Sequence, residues 1–500
     1  MYTINKHTFH KKINMKTNRK IFYQFIIFSI LLQSLPLIIN AQITFNKVYP
    51  SLFDQEGLDA IPTSDGGYMI AGMTSTHILN DMDINVIKTN NSGVIQWTKS
   101  FGGNKPEYAW SILEANDSNF FILGYSQSFG GGDYDTYLIK IKPNGDSLWT
   151  KTYGTNGNES GTEIIATDDG NYMIVGQDND AVSSNYNAYL MKIDPSGNVI
   201  WKKNYGGAAY ESGNSVKQCA DGGYIFTGQT YSYGQGGGDA YLVRTDANGD
   251  TTWTKTFGGT QYDEGMYILA NNDGSFTFVV RDSSSGAGDI DVQVIKTDPV
   301  GNTIWNKTYG GHEKDTGKMI QPTTDGGYVV ASISRSFGWI NPNMWIIKLD
   351  AAGDTLWTRT YGGWNHEHCY SVRQTADGGY TAIGHSDTWS TNIEIMFLKL
   401  NQIGELGTYV STDDYAINNE INVYPNPFNE RMHIDWSGID EPGSKLIISN
   451  ALGQVVFSET VNLSNHNKNN VIDLKGNEPG VYVLTIQSEK KLITKKIIFQ

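Results

Sequence analysis

The chain has 500 residues, with 52 acidic and 37 basic side chains and a net charge of −15 at pH 7. A chain this acidic is a poor candidate for binding nucleic acid or anionic membranes. Glycine is abundant, 12% of the residues are aromatic, and only two are cysteines, Cys219 and Cys369. This composition, without long helical periodicity, predicts an all-β protein and excludes a disulfide-stapled scaffold.

The first 41 residues have the layout of a secretory signal peptide. Basic residues at 16–20 precede an apolar run over 21–39, and a small residue, Ala41, follows. This order predicts export with cleavage between Ala41 and Gln42. An uncleaved membrane anchor is the alternative, although polar residues interrupt the run. The segment holds six Lys or Arg and no acid, so its removal takes the net charge from −15 to −21.

Residues 42–406 contain a repeat of 52 residues. A DGGY-like turn opened by Asp occurs seven times, and a Trp occurs six times at the same spacing. The repeated Trp residues are Trp97, Trp149, Trp201, Trp253, Trp305 and Trp357. A period near 50 with strand-like content is typical of β-propeller blades.

Each repeat is predicted to form four short strands, of which the second and third are apolar on both faces. Such strands are expected where a sheet is packed between neighbouring layers. The Trp strand is one copy short, and Phe45 lies 52 residues before Trp97. We therefore predict a seven-bladed β-propeller in which the N-terminal strand, residues 43–49, completes the last blade and closes the ring.

The repeats resemble the seven-bladed β-propeller repeat of exported bacterial proteins. The matching stretches are GYMIAGMTS at 67–75, DAYLVRTDANGD at 239–250 and WKKNYGG at 201–207. This resemblance covers residues 43–405 and implies the fold. It implies no activity, because propellers include enzymes, binding proteins and scaffolds.

After residue 406 the repeat stops. Residues 407–419 are polar and are predicted to be a linker, and residues 420–500 are predicted to form a small Ig-like β-sandwich because apolar strands alternate with Gly, Asn and Pro turns. The notable motifs are YPNP at 424–427, PGVY at 479–482 and the lysines at 490–496.

These motifs resemble the type A C-terminal sorting domain of the type IX secretion system of Bacteroidetes. The resemblance implies that residues 420–500 interact with the type IX machinery. It also implies passage through the periplasm, followed by display at the cell surface or release. Contact with the membrane is expected only during export or through attachment after sorting. Without the resemblance, an adhesive or carbohydrate-binding sandwich would be the default interpretation.

Two sets of acids recur in the repeats, one at the start of the first strand and one before the third. The first set is Glu107, Glu159, Glu211, Asp263, Asp315 and Glu367. A residue present in nearly every blade is more often structural than catalytic, so we expect these carboxylates to accept hydrogen bonds from backbone N–H groups. The alternative is a bound Ca²⁺ near the channel mouth, and no other cofactor is indicated.

The repeat is broken mostly in the last two blades, where additional Trp and His residues gather near loops. The candidate ligand-binding residues are Trp339, Trp364, Trp389, His366, His368 and His385. Exposed Trp faces stack on sugar rings, so this cluster predicts a glycan site on the loop face, and packing between blades is the alternative. His366 and His368 could share a strand face, but no third metal ligand is evident.

The sequence favours an exported binding or interaction protein whose partner is a glycan or a surface protein. It contains no nucleophile elbow, zinc-protease motif or P-loop. A polysaccharide hydrolase or lyase using acids of the channel mouth is one alternative. A structural or adhesive module is the other, and whether the protein is an enzyme stays open.

Overall fold

A computed structural model describes most of the repeat region and the strands of the C-terminal region. The described residues are 42–75, 82–179, 185–338, 341–388, 390, 392–406, 422–424, 431–435, 444–450, 455–461, 470–474, 476–477, 480–487 and 492–499. The predicted signal peptide, its cleavage bond and the predicted linker lie outside them, so these stay predictions. The contacts divide the chain into two compact units, 1–407 and 408–500. Nowhere in the described ranges is there a helix long and apolar enough to cross a membrane.

Residues 45–400 form seven antiparallel sheets of four strands, here called blades 1 to 7. Blades 1 to 4 are β2 (Gln55–Pro62), β3 (Tyr68–Ser75), β4 (Met82–Thr89), β5 (Ile95–Phe101); β6 (Glu107–Glu114), β7 (Phe120–Ser126), β8 (Asp135–Ile141), β9 (Ser147–Tyr153); β10 (Asn158–Ala166), β11 (Tyr172–Asn179), β12 (Tyr186–Ile193), β13 (Val199–Tyr205); and β14 (Glu211–Gln218), β15 (Tyr224–Thr230), β16 (Asp239–Thr245), β17 (Thr251–Phe257). Blades 5 to 7 are β18 (Asp263–Ala270), β19 (Phe276–Asp282), β20 (Asp291–Thr297), β21 (Thr303–Tyr309); β22 (Asp315–Pro322), β23 (Tyr328–Ser334), β24 (Asn343–Leu349), β25 (Thr355–Tyr361); and β26 (Glu367–Gln374), β27 (Tyr380–Ser386), β28 (Glu394–Leu400), β1 (Phe45–Tyr49). This arrangement confirms the predicted seven-bladed propeller of four-stranded blades.

The N-terminal strand completes blade 7, as predicted. β1 runs antiparallel to β28, with Phe45 opposite Lys399 and Tyr49 opposite Ile395. The Phe45 ring packs 5.3 Å from Phe397 of blade 7 and 6.2 Å from Tyr68 of blade 1. The strand therefore joins the last blade to the first through buried aromatic packing.

Burial follows the predicted pattern of the four strands. Every residue of β8 is buried, and β7 is buried except for one position, whereas β9 alternates between exposed and half-buried residues. The middle strands therefore pack against both neighbouring blades, which is why their sequences are apolar on both faces. The outer strand faces solvent on one side and alternates accordingly.

An ion pair holds the DGGY-like turn in every blade. The Asp that opens each turn contacts a Lys or Arg of the third strand: Asp65–Lys88, Asp117–Lys140, Asp169–Lys192, Asp221–Arg244, Asp273–Lys296, Asp325–Lys348 and Asp377–Lys399. The cation stem is largely buried and its head group reaches the turn. Burial opposes ionisation, but hydrogen bonds from Thr63, Lys88 and the Gly67 backbone lower the pKa of Asp65 to about 2.

The repeated Trp packs against the next blade. A Cβ on Gly145 of blade 2 would lie 2.9 Å from the ring of Trp97 in blade 1, and Gly145 has a φ of 84°. At the next interface, Tyr153 of blade 2 donates a hydrogen bond to the carbonyl oxygen of the equivalent glycine, Gly197 of blade 3, at 2.8 Å. The turn glycine is thus required both for its left-handed backbone and for the space that the Trp ring occupies.

The C-terminal unit contains a three-stranded and a four-stranded sheet. The strands are β29 (Asn422–Tyr424), β30 (Arg431–Asp435), β31 (Ser444–Asn450), β32 (Val455–Val461), β33 (Asn470–Asp473), β34 (Gly480–Gln487) and β35 (Leu492–Phe499). Met432 and Ile472 of the first sheet share one buried core with Leu446 and Leu484 of the second. Two sheets around one core form the predicted β-sandwich.

Candidate functional site

The first strands of all seven blades surround one cavity of about 520 Å³. Each strand contributes the residue at the same repeat position: Leu58, Trp110, Thr162, Asn214, Met266, Lys318 and Tyr370. These are seven different residue types, so the cavity wall has none of the regularity of the surrounding scaffold. A concave pocket lined by aromatic and polar groups is a typical ligand site.

A β-bulge places each of these residues. In blade 1 the register with β3 shifts between Gly57 and Asp59, so that Leu58 has no partner in the ladder. The same shift occurs in the first strand of the other six blades. Bulges redirect side chains, and here the redirected side chain is the one that lines the cavity.

Two ion pairs link neighbouring blades at the cavity, which is lined by Asp59, Glu163 and Arg373 of these pairs. Arg373 of blade 7 contacts Asp59 of blade 1 at 2.6 Å, and Lys217 of blade 4 contacts Glu163 of blade 3 at 2.7 Å. Asp59 also accepts a hydrogen bond from the backbone N–H of Ile112 in blade 2, at 3.2 Å. These charged side chains therefore link neighbouring blades across the cavity wall.

Tyr267 of blade 5 lies against the second of these pairs. The Lys217 ammonium lies 4.3 Å from the centre of its ring, and Gln321 donates a hydrogen bond to its hydroxyl oxygen at 3.1 Å. Burial, together with the nearby Glu163 carboxylate, raises the pKa of Tyr267 well above its ordinary value. Burial also lowers the pKa of Lys217, although Glu163 opposes that change. Tyr267 is therefore a neutral hydroxyl group at the wall.

An aromatic arc runs over blades 2, 3 and 4, and four of its members, Trp110, Tyr125, Tyr134 and Tyr210, line the cavity. In order, it consists of Trp110, Tyr108, Tyr125, Tyr134, Tyr186, Tyr210 and Tyr231. Neighbouring ring centres lie 5.0 to 6.4 Å apart, except that Tyr134 and Tyr186 meet through hydroxyl oxygens 3.0 Å apart. Trp110 is 41% exposed, and its ring is nearly parallel to that of Tyr108. The arc therefore offers ring faces to a ligand.

Polar side chains complete the mouth beside the arc. Tyr210 donates a hydrogen bond to Gln177 at 2.5 Å, and Gln177, Thr162 and Asn214 all line the cavity. Asn214 Nδ2 is 3.0 Å from Glu264 Oε1, and Tyr262 donates to Glu264 Oε2 at 2.9 Å. Amides, hydroxyls and a carboxylate beside aromatic faces are the groups that recognise polyhydroxylated ligands.

Two of the six predicted ligand-binding residues, His368 and His385, come together near the mouth. They face each other across β26 and β27, with ring centres 4.5 Å apart. His385 Nδ1 lies 3.4 Å from Glu56 Oε2, and Tyr370 donates to the same oxygen at 3.3 Å. Burial, with the charge of His385, lowers the pKa of His368 to about 4. For Glu56, burial opposes ionisation, but the hydrogen bond and charge of His385 lower the pKa overall.

Two more of the predicted residues lie on the loop before β26. The Trp364 side chain is 70% exposed, and its carbonyl oxygen accepts a hydrogen bond from Asn341 at 2.7 Å. His366 is half exposed and its Nδ1 lies 3.1 Å from Asp387 Oδ2. Trp339 and Trp389 lie outside the described residues. A glycan site on these loops stays a prediction.

The repeated acids act mainly on the backbone. Glu107 accepts hydrogen bonds from the backbone N–H groups of Gly103 and Ser128, at 2.8 and 3.0 Å. In the second set, Asp135 accepts one from Gly132 at 3.0 Å. This is the expected structural role. Within the described ranges no three His, Cys, Asp or Glu residues are placed to hold a metal ion, and Ca²⁺ stays a weak alternative.

A larger hollow of about 920 Å³ lies between the turns of blades 3, 4 and 5. Its walls include Asp221, Arg244 and Trp253, which are members of the repeated ion-pair and Trp sets. Equivalent residues occur in the other blades for structural reasons. We therefore place the candidate site at the cavity lined by the bulges, where the blades differ.

Sequence reasoning missed Trp110 and the tyrosines of the arc. The additional Trp and His residues of the last two blades drew attention because they are rare residue types, whereas tyrosine is common in this chain. The sequence signal for these cavity residues is their position within the repeat. Aligning the repeats at the residue after Gly57 and its equivalents would have shown seven different residues in a row of otherwise similar segments.

Comparison with known proteins identifies the C-terminal unit. Residues 422–500 match the family model described as the secretion system C-terminal sorting domain. No curated protein matches the chain in sequence.

Several solved structures have a similar arrangement of strands. Puromycin hydrolase is 11% identical with a TM-score of 0.41, covering 67% of this chain and 52% of its own, so the chain spans about half its length. The Synechocystis apocarotenoid oxygenase is 11% identical with a TM-score of 0.41, covering 72% and 96%. The Neurospora crassa Pan2 WD40 domain is 13% identical with a TM-score of 0.34, covering 57% and 90%. Likenesses this weak carry no information about activity.

The match over 422–500 agrees with the motifs that resemble the type IX sorting domain, and such a domain interacts with the type IX machinery. The chain is therefore a seven-bladed β-propeller that carries a type IX C-terminal sorting domain, and it is exported to the cell surface or secreted.

Proposed function

We propose that this protein is an exported glycan-binding protein whose ligand occupies the bulge-lined cavity and stacks on the aromatic arc. The observation that carries the proposal is the exposed Trp110 ring at the head of a continuous row of aromatic side chains. Ring faces stack on the apolar faces of sugars, and the neighbouring amides and hydroxyls match sugar hydroxyl groups. The sorting domain places such a protein where extracellular polysaccharides are met.

The loops of blade 7 belong to the same proposal as a second contact region. Trp364 is strongly exposed on the loop that leads into β26, the first strand of blade 7. A long glycan could contact both Trp110 and Trp364. The predicted roles of Trp339, Trp389 and the histidines are kept as part of this extended surface.

The test is binding of the purified full chain to a panel of polysaccharides, measured by calorimetry. We expect Trp110→Ala to weaken binding by about tenfold or more, because stacking and the buried area of one aromatic ring contribute about 1.5 kcal/mol. Trp364→Ala tests the second contact region, and we expect it to weaken binding less than Trp110→Ala because Trp364 does not line the cavity. Loss with Trp364→Ala alone would move the ligand to the blade 7 loops, and binding to no glycan would overturn the proposal.

A second candidate function is a polysaccharide hydrolase or lyase. The supporting observation is that two carboxylates, Asp59 and Glu163, line the same cavity. A glycosidase requires a pair of carboxyl groups at the bond that is cleaved. Release of shorter saccharides from the bound polysaccharide, abolished by Glu163→Gln, would favour the enzyme over the binding protein.

A further inference from the structure

Two cations on blades 5 and 6 lie at or beside the cavity and form no ion pair: Lys318 lines the cavity, and Arg281 lies on β19 opposite Glu264, a residue of the cavity wall. The Lys318 side chain lines the cavity, and its ammonium lies 6.0 Å from the centre of the Tyr370 ring. The Arg281 guanidinium lies 5.1 Å from the centre of the Tyr262 ring, and its Nε is buried without a hydrogen-bond partner among the described residues. Within that part of the chain, neither side chain takes part in an ion pair.

Two other cations near the cavity, Arg373 on its wall and Lys217 beside Glu163 of the wall, are different. Lys217 and Arg373 are each paired with a carboxylate, at 2.7 and 2.6 Å. Glu264 acts electrostatically on Lys318, but its two oxygens accept hydrogen bonds from the neutral groups of Asn214 and Tyr262. In a chain with a net charge of −15, a cation on the cavity wall and a second one beside it, neither in an ion pair within the described residues, are an exception to the general charge distribution.

Partly desolvated cations favour an anionic ligand. Burial lowers the pKa of Lys318, and the Arg281 charge acts in the same direction, so the ammonium is poorly stabilised by its surroundings. An anionic group bound at Lys318 would supply the missing partner through charge-assisted hydrogen bonds, and the positive charge of Arg281, which acts on Lys318, would add to the attraction. Trp110 lies on the wall of the same cavity, so a sugar ring and its charged substituent could be bound together.

We propose that the cavity mouth selects glycans that carry carboxylate or sulfate groups, with Lys318 contacting the anionic group, Arg281 adding its positive charge to the attraction, and the aromatic arc contacting the sugar rings. This inference rests on the proposed glycan-binding function and adds the charge class of the ligand. Carboxylate and sulfate share the oxyanion chemistry that these cations recognise.

The experiment compares binding of the full chain to polygalacturonate, dextran sulfate and uncharged dextran at several salt concentrations. We expect at least one acidic polymer to bind more tightly than dextran, with an affinity that falls as salt rises. Lys318→Gln should weaken acidic-polymer binding by about tenfold, since a charge-assisted contact is lost, and Arg281→Gln should weaken it less. Lys318→Arg should restore most of the affinity.

Lys105→Gln is the matched control because Lys105 is exposed on a loop at the same end of the propeller but outside the cavity. Equal weakening by Lys105→Gln would indicate nonspecific electrostatic attraction to the protein surface and would overturn the proposed anion site. Trp110-dependent binding that is unaffected by Lys318→Gln would overturn the charge inference and leave the proposed function intact. Binding to none of the wider polysaccharide panel would overturn both. Unfolding temperatures of all variants separate lost contacts from lost folding.

Discussion

The first strand of each blade has one region whose residues are repeated in all seven blades and another whose residues differ from blade to blade. At the end with the DGGY-like turn, all seven blades have an Asp that pairs with a Lys or, in blade 4, an Arg. At the bulge, the seven blades have seven different residues. The residues at the bulge differ although the backbone there does not, because every first strand is bulged at the same position.

This difference separates the residues that stabilise each blade from the residues that line the cavity. The turn contributes the same local interactions in each copy, so its residues are restricted. The bulge directs a side chain into the cavity whatever that side chain is, so the residue there is set by what the cavity must contact. A repeat protein of this kind can acquire an asymmetric site without changing its backbone.

The largest effect is expected for Arg373, a residue that lines the cavity and also stabilises the fold through its ion pair with Asp59. Arg373→Met leaves Asp59 buried without its cation, and Asp59 is 5% exposed. We expect the free energy of unfolding to fall by about 3–5 kcal/mol, the usual result of removing one partner of a buried pair. Urea unfolding at pH 7 measures this. Lys318→Met, also at the cavity but without an ion pair, should change stability by less than about 1 kcal/mol.

Substitutions of the turn glycines test how much the repeated residues contribute to stability. Gly145→Ala and Gly66→Ala both place a Cβ on a left-handed residue, with φ of 84° and 85°. Both should lose about 1 kcal/mol from backbone strain. Only Gly145 faces the Trp97 ring, so its variant should lose a further 1–3 kcal/mol from overpacking. Equal losses in thermal unfolding would show that the Trp contact between blades contributes little.

The sequence predicts the scaffold well because its determinants are local and repeated. Asp65, Gly145 and Trp97 each recur with a fixed period, and a period of 52 residues with alternating apolar strands leaves few folds to consider. Phe45 could be assigned to the last blade because the same period predicts its position. The sorting domain was recognisable from short motifs at the end of the chain.

The candidate site was harder to predict because it is assembled from residues about 52 positions apart. Trp110 and Lys318 line one cavity only because a bulge turns each of them inward, and a bulge has no sequence signal strong enough to see in one copy. The pairing of Arg373 with Asp59 joins residues 314 positions apart. Such contacts join blades that are far apart in the sequence, so no local pattern predicts them.

A pH-dependent test concerns the non-repeated histidine pair. The pKa of His368 is lowered to about 4, so the unfolded chain binds this proton at a higher pH than the folded chain does. Stability should therefore fall as the pH drops from about 6.5 to about 4 and change no further for this group below that. The positive charges of His385, Lys318 and His366 also lower the pKa of His368, whereas the negative charge of Glu56 raises it.

His368→Gln should remove this component, which we expect to be about 1–2 kcal/mol for a partly buried group. Unfolding temperatures between pH 7 and pH 4 measure it. His366→Gln is the control, since that side chain is half exposed on the adjacent loop. If both variants follow the wild-type pH profile, His368 keeps an ordinary pKa and the histidine contact is of no electrostatic consequence.

The smallest effect is expected where one of seven equivalent turns is altered. Burial opposes ionisation of Asp325, but hydrogen bonds from Lys348 and Thr323 lower its pKa to about 2. A lowered pKa stabilises the folded state above about pH 4, and this contribution is lost as the pH falls through about 2. Because the Asp325 side chain is 53% exposed, solvent screens the pair, and Asp325→Asn should cost only about 0.5–1 kcal/mol at pH 7. Asp146→Asn, which alters a 3.7 Å pair between two exposed side chains, should cost less. An equal loss in both variants would mean that burial of the lysine stem adds nothing to the stability of the turn.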